Sequence, residues 1–203
     1  MRALAKSFLN ILAALIVFPV VLWYRVQCLI VGSERAFPGC VQLLSLLPGM
    51  TGISLRRAFL RQVIRHCGAD VCVSFGTVFS DPGLALGRNV YLGHFCSIGN
   101  VTIEDDVLIA SHVSIMNGCQ QHGTDRLDIP IREQPGTWRE ITVGRNSWIG
   151  EHAVVAANVG QNCLIGAGAL VIHDVPDYSV AVGVPARVIR DRREPDRPAP
   201  ALL

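Results

Sequence analysis

Six histidines, seven cysteines and a glycine-rich segment near the C-terminus carry most of the chemistry available to this chain. His122 stands within residues 116–140, MNGCQQHGTDRLDIPIREQPGTWRE, a stretch that breaks the pattern on both sides of it. An imidazole with an ordinary pKa near ~6.5 can take the proton of an attacking hydroxyl at neutral pH. On the loop alone, His122 reads equally as such a base or as a solvated histidine. Asp125 or Asp128 is near enough in sequence to orient the ring. His94 and His112 fall on successive repeats and could approach each other. With Asn100 and Asp125 they are the candidate substrate contacts, although both histidines also suit ordinary face positions. His66, His152 and His173 read as structural or solvated. The chain has no HExxH, no CxxC and no histidine pair with four residues between, so no metal site is expected. The cysteines are odd in number and scattered, which implies no disulfide framework and fits a reducing compartment.

These residues need elements to hold them, and the spacing of the aliphatic residues says which. An aliphatic residue returns every six positions, often followed by glycine: Leu86-Gly87, Leu92-Gly93, Ile98-Gly99, then Ile103, Ile109 and Ile115. After the loop the beat resumes with Val143-Gly144, Ile149-Gly150 and Val155, then Val159-Gly160, Ile165-Gly166 and Val171. Four positions after each lead residue comes a small or β-branched one, among them Val90, Cys96, Val113, Ser147, Ala153, Cys163 and Ala169. Cys67, Val73 and Phe79 form a degenerate first set. A helix repeats at 3.6 and a strand at 2, so a period of six fits neither. It fits a parallel β-helix whose lead residues point inward and stack coil on coil. The glycine after each lead residue is expected to supply the backbone conformation of the corner. A gap of about two dozen residues in such a repeat reads as a functional loop.

The front of the chain differs. Half of all residues are hydrophobic and 17% are charged, below the ~25% of an ordinary soluble chain. The mean hydropathy of +0.39 excludes a disordered regulator. The formal charge of +2 hides a division. Met1–Gly68 holds eight basic residues and one acid, Glu34, whereas Ala69–Leu203 holds ten arginines and fifteen acids. The repeat domain is therefore acidic, which excludes nucleic-acid binding. Ser7–Tyr24 is uncharged, flanked by Lys6 and Arg25, and marginally long enough to span a bilayer. No small-x-small cleavage site follows it, so it is expected to stay on the protein. Pro19 and the symmetric flanking charge suggest a kinked or re-entrant hairpin. A second uncharged run, Ala36–Leu55, is interrupted by Pro38, Gly39, Pro48 and Gly49. It reads as a helix near Cys40–Leu47, a turn and a further helix. In that last helix Leu55, Phe59, Leu60, Val63 and Ile64 share one face, opposite Arg56, Arg57, Arg61 and Arg65. Such a helix suits a membrane surface or a cap on the next domain equally well. The expected domains are a membrane-associated helical region over 1–66, a β-helix over 67–190 with its loop at 116–140, and a mobile tail over 191–203.

In the C-terminal half, Ser147-Trp148-Ile149-Gly150, Ile165-Gly166-Ala167-Gly168-Ala169, Asp174-Val175-Pro176 and Gly183-Val184-Pro185-Ala186-Arg187-Val188-Ile189 follow one another. Through these motifs the stretch from Cys67 to Arg190 resembles the hexapeptide-repeat acyltransferases, in particular their sugar and exopolysaccharide O-acetyltransferases. The resemblance implies a left-handed β-helix, a mainly β fold with an N-terminal α-helical region, and a homotrimer with the donor site between neighbouring copies. It also implies acetyl-CoA as co-substrate, with His122 of Gln121-His122-Gly123 as catalytic base in a direct transfer and Cys119 not a nucleophile. Trp148, Gly150 and Glu151 would sit at the thioester, where relatives place a backbone donor for the developing oxyanion. Gly166, Ala167 and Gly168 would line the pantetheine path, and Arg187 and Arg190 would reach the coenzyme A phosphates. Two departures stand out. Glu151 replaces a serine of some relatives, and Ile172-His173 replaces a Thr-Lys pair. The implied activity is acetyl transfer to a sugar hydroxyl of a polysaccharide or lipid-linked glycan, on the cytoplasmic side of the inner membrane. A soluble drug or amino-acid acceptor, or a non-catalytic membrane-tethered scaffold, remains open on the sequence.

Overall fold

The computed structural model describes residues 2–194, with side chains from Lys6 onward; the expected tail beyond residue 194 lies outside them. From His66 the chain winds as a parallel β-solenoid of about six turns with three faces. The first face stacks β1 (His66–Cys67), β4 (Ala85–Leu86), β7 (Val101–Ile103) and β10 (Ile141–Val143). The second stacks β2 (Cys72–Val73), β5 (Tyr91–Leu92), β8 (Leu108–Ile109), β11 (Trp148–Ile149), β13 (Leu164–Ile165) and β15 (Ser179–Val182), closed by the antiparallel β16 (Arg187–Asp191). The third stacks β3 (Val78–Phe79), β6 (Ser97–Ile98), β9 (Ser114–Ile115), β12 (Val154–Val155) and β14 (Leu170–Val171).

Most strands are two residues long, so one side chain points out and the next points in. The inward one is the lead aliphatic of the repeat: from Leu86 to Val171 all twelve are buried. Register keeps like on like, with Ile98 beside Ile115 and Ile115 beside Val155. Cys96 and Cys163 fill small inward positions, and burial pushes both thiols up. The expectation about the glycines is corrected. Gly93 and Gly150 do not have positive φ; a Cβ there would lie about 2.5 Å from the backbone nitrogen of Ser111 or Ala167 on the next coil. They are needed for close stacking. The left-handed corner residues are others, including Asn89, Phe95, His112, Asn146 and His152.

Three helices precede the solenoid: α1 (Arg2–Val31), α2 (Ser33–Ser45) and α3 (Gly49–Val63). Tyr24, Phe37 and Phe59, one from each, meet with ring centroids 6.0–6.4 Å apart. No hairpin turns at Pro19: α1 runs unbroken through it. Ala13, Val17, Val21 and Tyr24 are buried on one face on both sides of it. Their burial, at roughly 1.5–3 kcal/mol for each large side chain, outweighs the ~3 kcal/mol proline cost. Helix α2 likewise begins at Ser33, ahead of Cys40, because Ala36 and Phe37 are buried with the other aromatics.

The basic face of α3 turns to protein. Arg56 is only 3% exposed and donates from Nε to the Val73 carbonyl (2.9 Å) and from Nη1 to those of Leu44 (3.0 Å) and Leu47 (2.7 Å). It thereby satisfies carbonyls at the end of α2 and joins the helices to the first coil. Arg57 and Arg61 reach the carbonyls of Val71 and Gly68, each at 3.4 Å. The cap on the next domain is thus what α3 forms with its arginines. At the other end, residues 191–194 are held: the Arg192 N–H donates to Tyr178 O at 2.7 Å, and the Arg193 guanidinium lies over the Tyr178 ring.

Candidate functional site

The loop at 116–140 leaves β9 on the third face and returns at β10 on the first, so it projects from the corner between them. Its two limbs touch. A Cβ on Gly136 would fall about 2.0 Å from the Gln121 carbonyl oxygen, so only glycine lets them meet. Gln134, buried, bonds the backbone N–H and carbonyl of Arg126 and the carbonyl of Ile129. His122 is exposed at the outer limb, its ring edge-on to Trp138 at 6.2 Å. Among the described residues no hydrogen bond orients this imidazole. Asp128 is taken by Arg126, whose guanidinium holds its carboxyl below the usual range, and Asp125 is exposed, with no hydrogen bond or ion pair to His122 among the described residues. The orienting role expected of these aspartates is not seen.

Two clefts flank the loop. One of about 430 Å³ is lined by Cys119, Thr137, Arg139, His173 and Asp174, with Arg139 donating to Asp174 at 3.1 Å. The other, of about 510 Å³, is lined by Glu34, Asp81, Asn100, Asn117, Trp138, Arg139 and Glu140. There the Asn117 side chain accepts from the Asn100 N–H (3.2 Å) and donates to the Asn100 carbonyl (3.1 Å). Asn100 Oδ1 is buried without a partner, an arrangement that favours a ligand donating to it. Glu140 binds Arg65 and Thr102 and is held down to about 2, first by the Arg65 hydrogen bonds and then by Thr102. Its ion pair fastens the end of the loop to the linker after α3. Asn117, Arg139 and Glu140 were not singled out in the sequence, where nothing but their place in the loop marks them, and Glu34 stood out only as the one acid of the front region.

The remaining candidates lie across the third face, at its corner with the second. His94, His112, Gly150, Glu151, Gly166, Ala167 and Gly168 all occupy turns there. His94 and His112 meet only through backbone, the His112 N–H donating to the His94 carbonyl at 2.8 Å. The ring partner of His112 is His152, at 4.8 Å and 8° from parallel, with Phe95 stacked on its other side at 5.4 Å. Glu151 joins this pair, the ligand atoms of all three lying within 4.8 Å. Near-parallel rings hold their lone pairs in separate planes, so the stack as it stands does not aim both imidazoles at one ion. The Gly150 N–H is spent on the Ile165 carbonyl (2.8 Å), whereas the Glu151 N–H that follows the Trp-Ile-Gly step has no hydrogen bond among the described residues. Trp148 stands outward on the second face, 48% exposed, in a row with Leu108 and Tyr91. Gly168 has φ +66° and open space beside it, whereas Gly166 packs on Val182. Arg187 and Arg190 lie on β16, at the end of the second face. Within one chain, then, His122 and Asn100 share one corner, and the residues expected around the donor occupy another corner and the second face.

No family model matches the chain. It is 34% identical over 152 residues to galactoside O-acetyltransferase of Escherichia coli K12, covering 71% of this chain and 72% of that protein. It is 31% identical over 166 residues to a putative lipopolysaccharide biosynthesis O-acetyltransferase of the same organism, covering 68% and 84%. Among solved structures, a galactoside acetyltransferase in complex with coenzyme A superposes with a TM-score of 0.58 at 26% identity, covering 78% of this chain and 80% of that one. The fold and site thus define a left-handed parallel β-helix enzyme that acetylates with acetyl-CoA as co-substrate. The chain belongs to the hexapeptide-repeat acetyltransferases.

Proposed function

We propose that the chain transfers the acetyl group of acetyl-CoA directly to a sugar hydroxyl of a polysaccharide or lipid-linked glycan, with His122 as general base. The observation that carries this reading is the imidazole itself: exposed, in no ion pair among the described residues, and set edge-on to Trp138 where the two limbs of the loop meet. In the proposed step the imidazole Nε2 or Nδ1 takes the hydroxyl proton as the oxygen attacks the thioester carbon. The tetrahedral oxyanion is stabilised by backbone N–H, for which Glu151 is the available donor. Collapse breaks the C–S bond, and the imidazolium returns its proton to the departing thiolate. The cleft with Asn100, Asn117 and Trp138 suits a sugar, whose hydroxyls would donate to the orphaned Asn100 Oδ1.

The base and the donor elements sit on different parts of one chain, which supports a homotrimer whose site is completed between copies. The apolar row of Tyr91, Leu108 and Trp148 offers a surface for that contact. Membrane association through residues 1–66, at the cytoplasmic side of the inner membrane where acetyl-CoA is supplied, belongs to the same reading. It is supported by the bare apolar side of α1. The test is acetyl-CoA turnover against galactosides, maltose and lipid-linked glycans, in wild type and His122→Ala. Loss of a general base is expected to lower kcat by about 10²–10⁴-fold with the melting temperature unchanged. An unchanged rate rejects His122 as base, and turnover with none of the glycans rejects the acceptor class.

A further inference from the structure

Helix α1 has two faces, and only one meets protein. Its outer side exposes Phe8, Leu12, Leu15, Leu22, Trp23 and Ile30, which helical periodicity gathers on one side, with no charge between Lys6 and Arg25. The helix is long and apolar enough to cross a membrane. Its inner side, however, is fastened along most of that length. Lys6 pairs with Asp70 of the first coil. Asn10 accepts from Arg57 Nη2 at 3.1 Å, Val17 and Tyr24 are buried, and Arg25 Nη2 donates to the Gln62 carbonyl at 2.9 Å. These ties cover residues 6–25, roughly 28 Å at a rise of ~1.5 Å per residue. Were α1 to stand across a bilayer, α3 with its arginines and the first coil with Asp70 would enter the hydrocarbon beside it, where charges are expensive.

We propose that α1 lies flat in one leaflet of an anionic lipid bilayer, its outer side among the acyl chains and its basic border at the headgroups, so that the Asn100 cleft opens at the membrane surface. The pattern is that of an interfacial helix, apolar on one side with cations at the edges. Lys6, Arg25 and Arg35 are exposed to meet anionic headgroups. The link to the cleft is covalent and short: α1 ends at Val31, and Glu34, in the first turn of α2, lines the cleft with Asn100 and Trp138. An acceptor carried on a lipid would therefore present its sugar where the cleft opens. This placement rests on the acceptor reading above.

The test is fluorescence quenching in vesicles of phosphatidylcholine and phosphatidylglycerol with bromine near the headgroup or near the end of the acyl chain. Full-length protein carrying Trp23→Phe, Trp138→Phe and Trp148→Phe receives one probe at a time by Phe8→Trp, Ile16→Trp or Ile30→Trp; a fourth retains Trp23 alone. A flat helix quenches all four alike, and more by the shallow bromines. Deep quenching at position 16 with shallow quenching at 8 and 30 means a spanning helix and overturns the proposal. Absence of quenching overturns it too, including the case where the probes are shielded by a second copy in lipid-free solution. Leu15→Glu with Leu22→Glu is expected to weaken vesicle binding roughly tenfold or more, while turnover of a soluble sugar persists. Failure of the acetyl-transfer reading shows separately, as missing turnover by a protein that still binds vesicles.

Discussion

Ile98, Ile115 and Val155 occupy one place in three successive coils, each beside the next, whereas Tyr24, Phe37 and Phe59 come from three different helices and meet once. In the solenoid, burial is local and repeated: a lead residue packs on its own coil and on the coils above and below. In the helical region, one aromatic cluster holds all three helices, and its contacts span the two connections between them. The same hydrophobic excess therefore stabilises the two regions in different ways. A cavity in the solenoid should be felt by neighbouring coils, and a cavity in the cluster by the helical region as a whole.

Phe37→Ala tests the second half of this contrast with the largest expected effect, about 3–5 kcal/mol. Hydrogen exchange should show α1, α2 and α3 losing protection together while β8 and β11 keep theirs. Ile109→Ala, at about 2–5 kcal/mol, should instead expose β5, β8 and β11 and leave the aromatic cluster protected. If either variant lowers protection equally in both regions, they form a single cooperative unit and the contrast is wrong.

The join between the regions is next in size. Arg56→Ala removes a charged donor from the carbonyls of Leu44, Leu47 and Val73, at a cost of roughly 1.5–3 kcal/mol. Lysine should not rescue it, because a single ammonium cannot reproduce a fork that serves helix α2 and the first coil together. Hydrogen exchange at the end of α2 and in β2 is the readout. Loss confined to α2 would mean that the bond to Val73 couples nothing.

The division also explains what the sequence made legible. A period of six is a one-dimensional signal, so the inward residues from Leu86 to Val171 could be read from their spacing alone. Partners across the interruption could not: His112 meets His152, forty positions on, because the 25-residue loop displaces the following coil. The glycines were legible as positions and not as causes, since the clash that demands Gly150 involves Ala167, a coil away. Arg56 looked like a surface charge because the carbonyls that take it belong to a turn whose path depends on tertiary packing. His122 could be marked from its loop. The cleft beside it could not, for Glu34 arrives from a helix sixty-six residues ahead of Asn100 in the chain.

The smallest effect concerns the second join, the Arg65–Glu140 pair between the helical linker and the end of the loop. Burial is slight and both side chains are more than a third exposed, so solvent screens most of the attraction, leaving about 0.2–1 kcal/mol. The sign follows from the carboxyl: about 2 in the folded protein against an ordinary 4.5. Such a depressed group stabilises fully above 4.5 and loses its contribution as pH falls toward 2. Glu140→Gln should therefore melt below wild type by no more than about 4 °C at pH 7, and the gap should narrow from pH 5 to pH 3. Melting curves across that range decide the matter, because a gap that stays constant would mean that the side chain acts by shape and hydrogen bonding alone. A gap that widens would mean that the carboxylate opposes folding. Turnover at pH 7 adds the last discrimination: if the pair fixes the loop, the variant should lose a few-fold in kcat with the KM for acetyl-CoA unchanged.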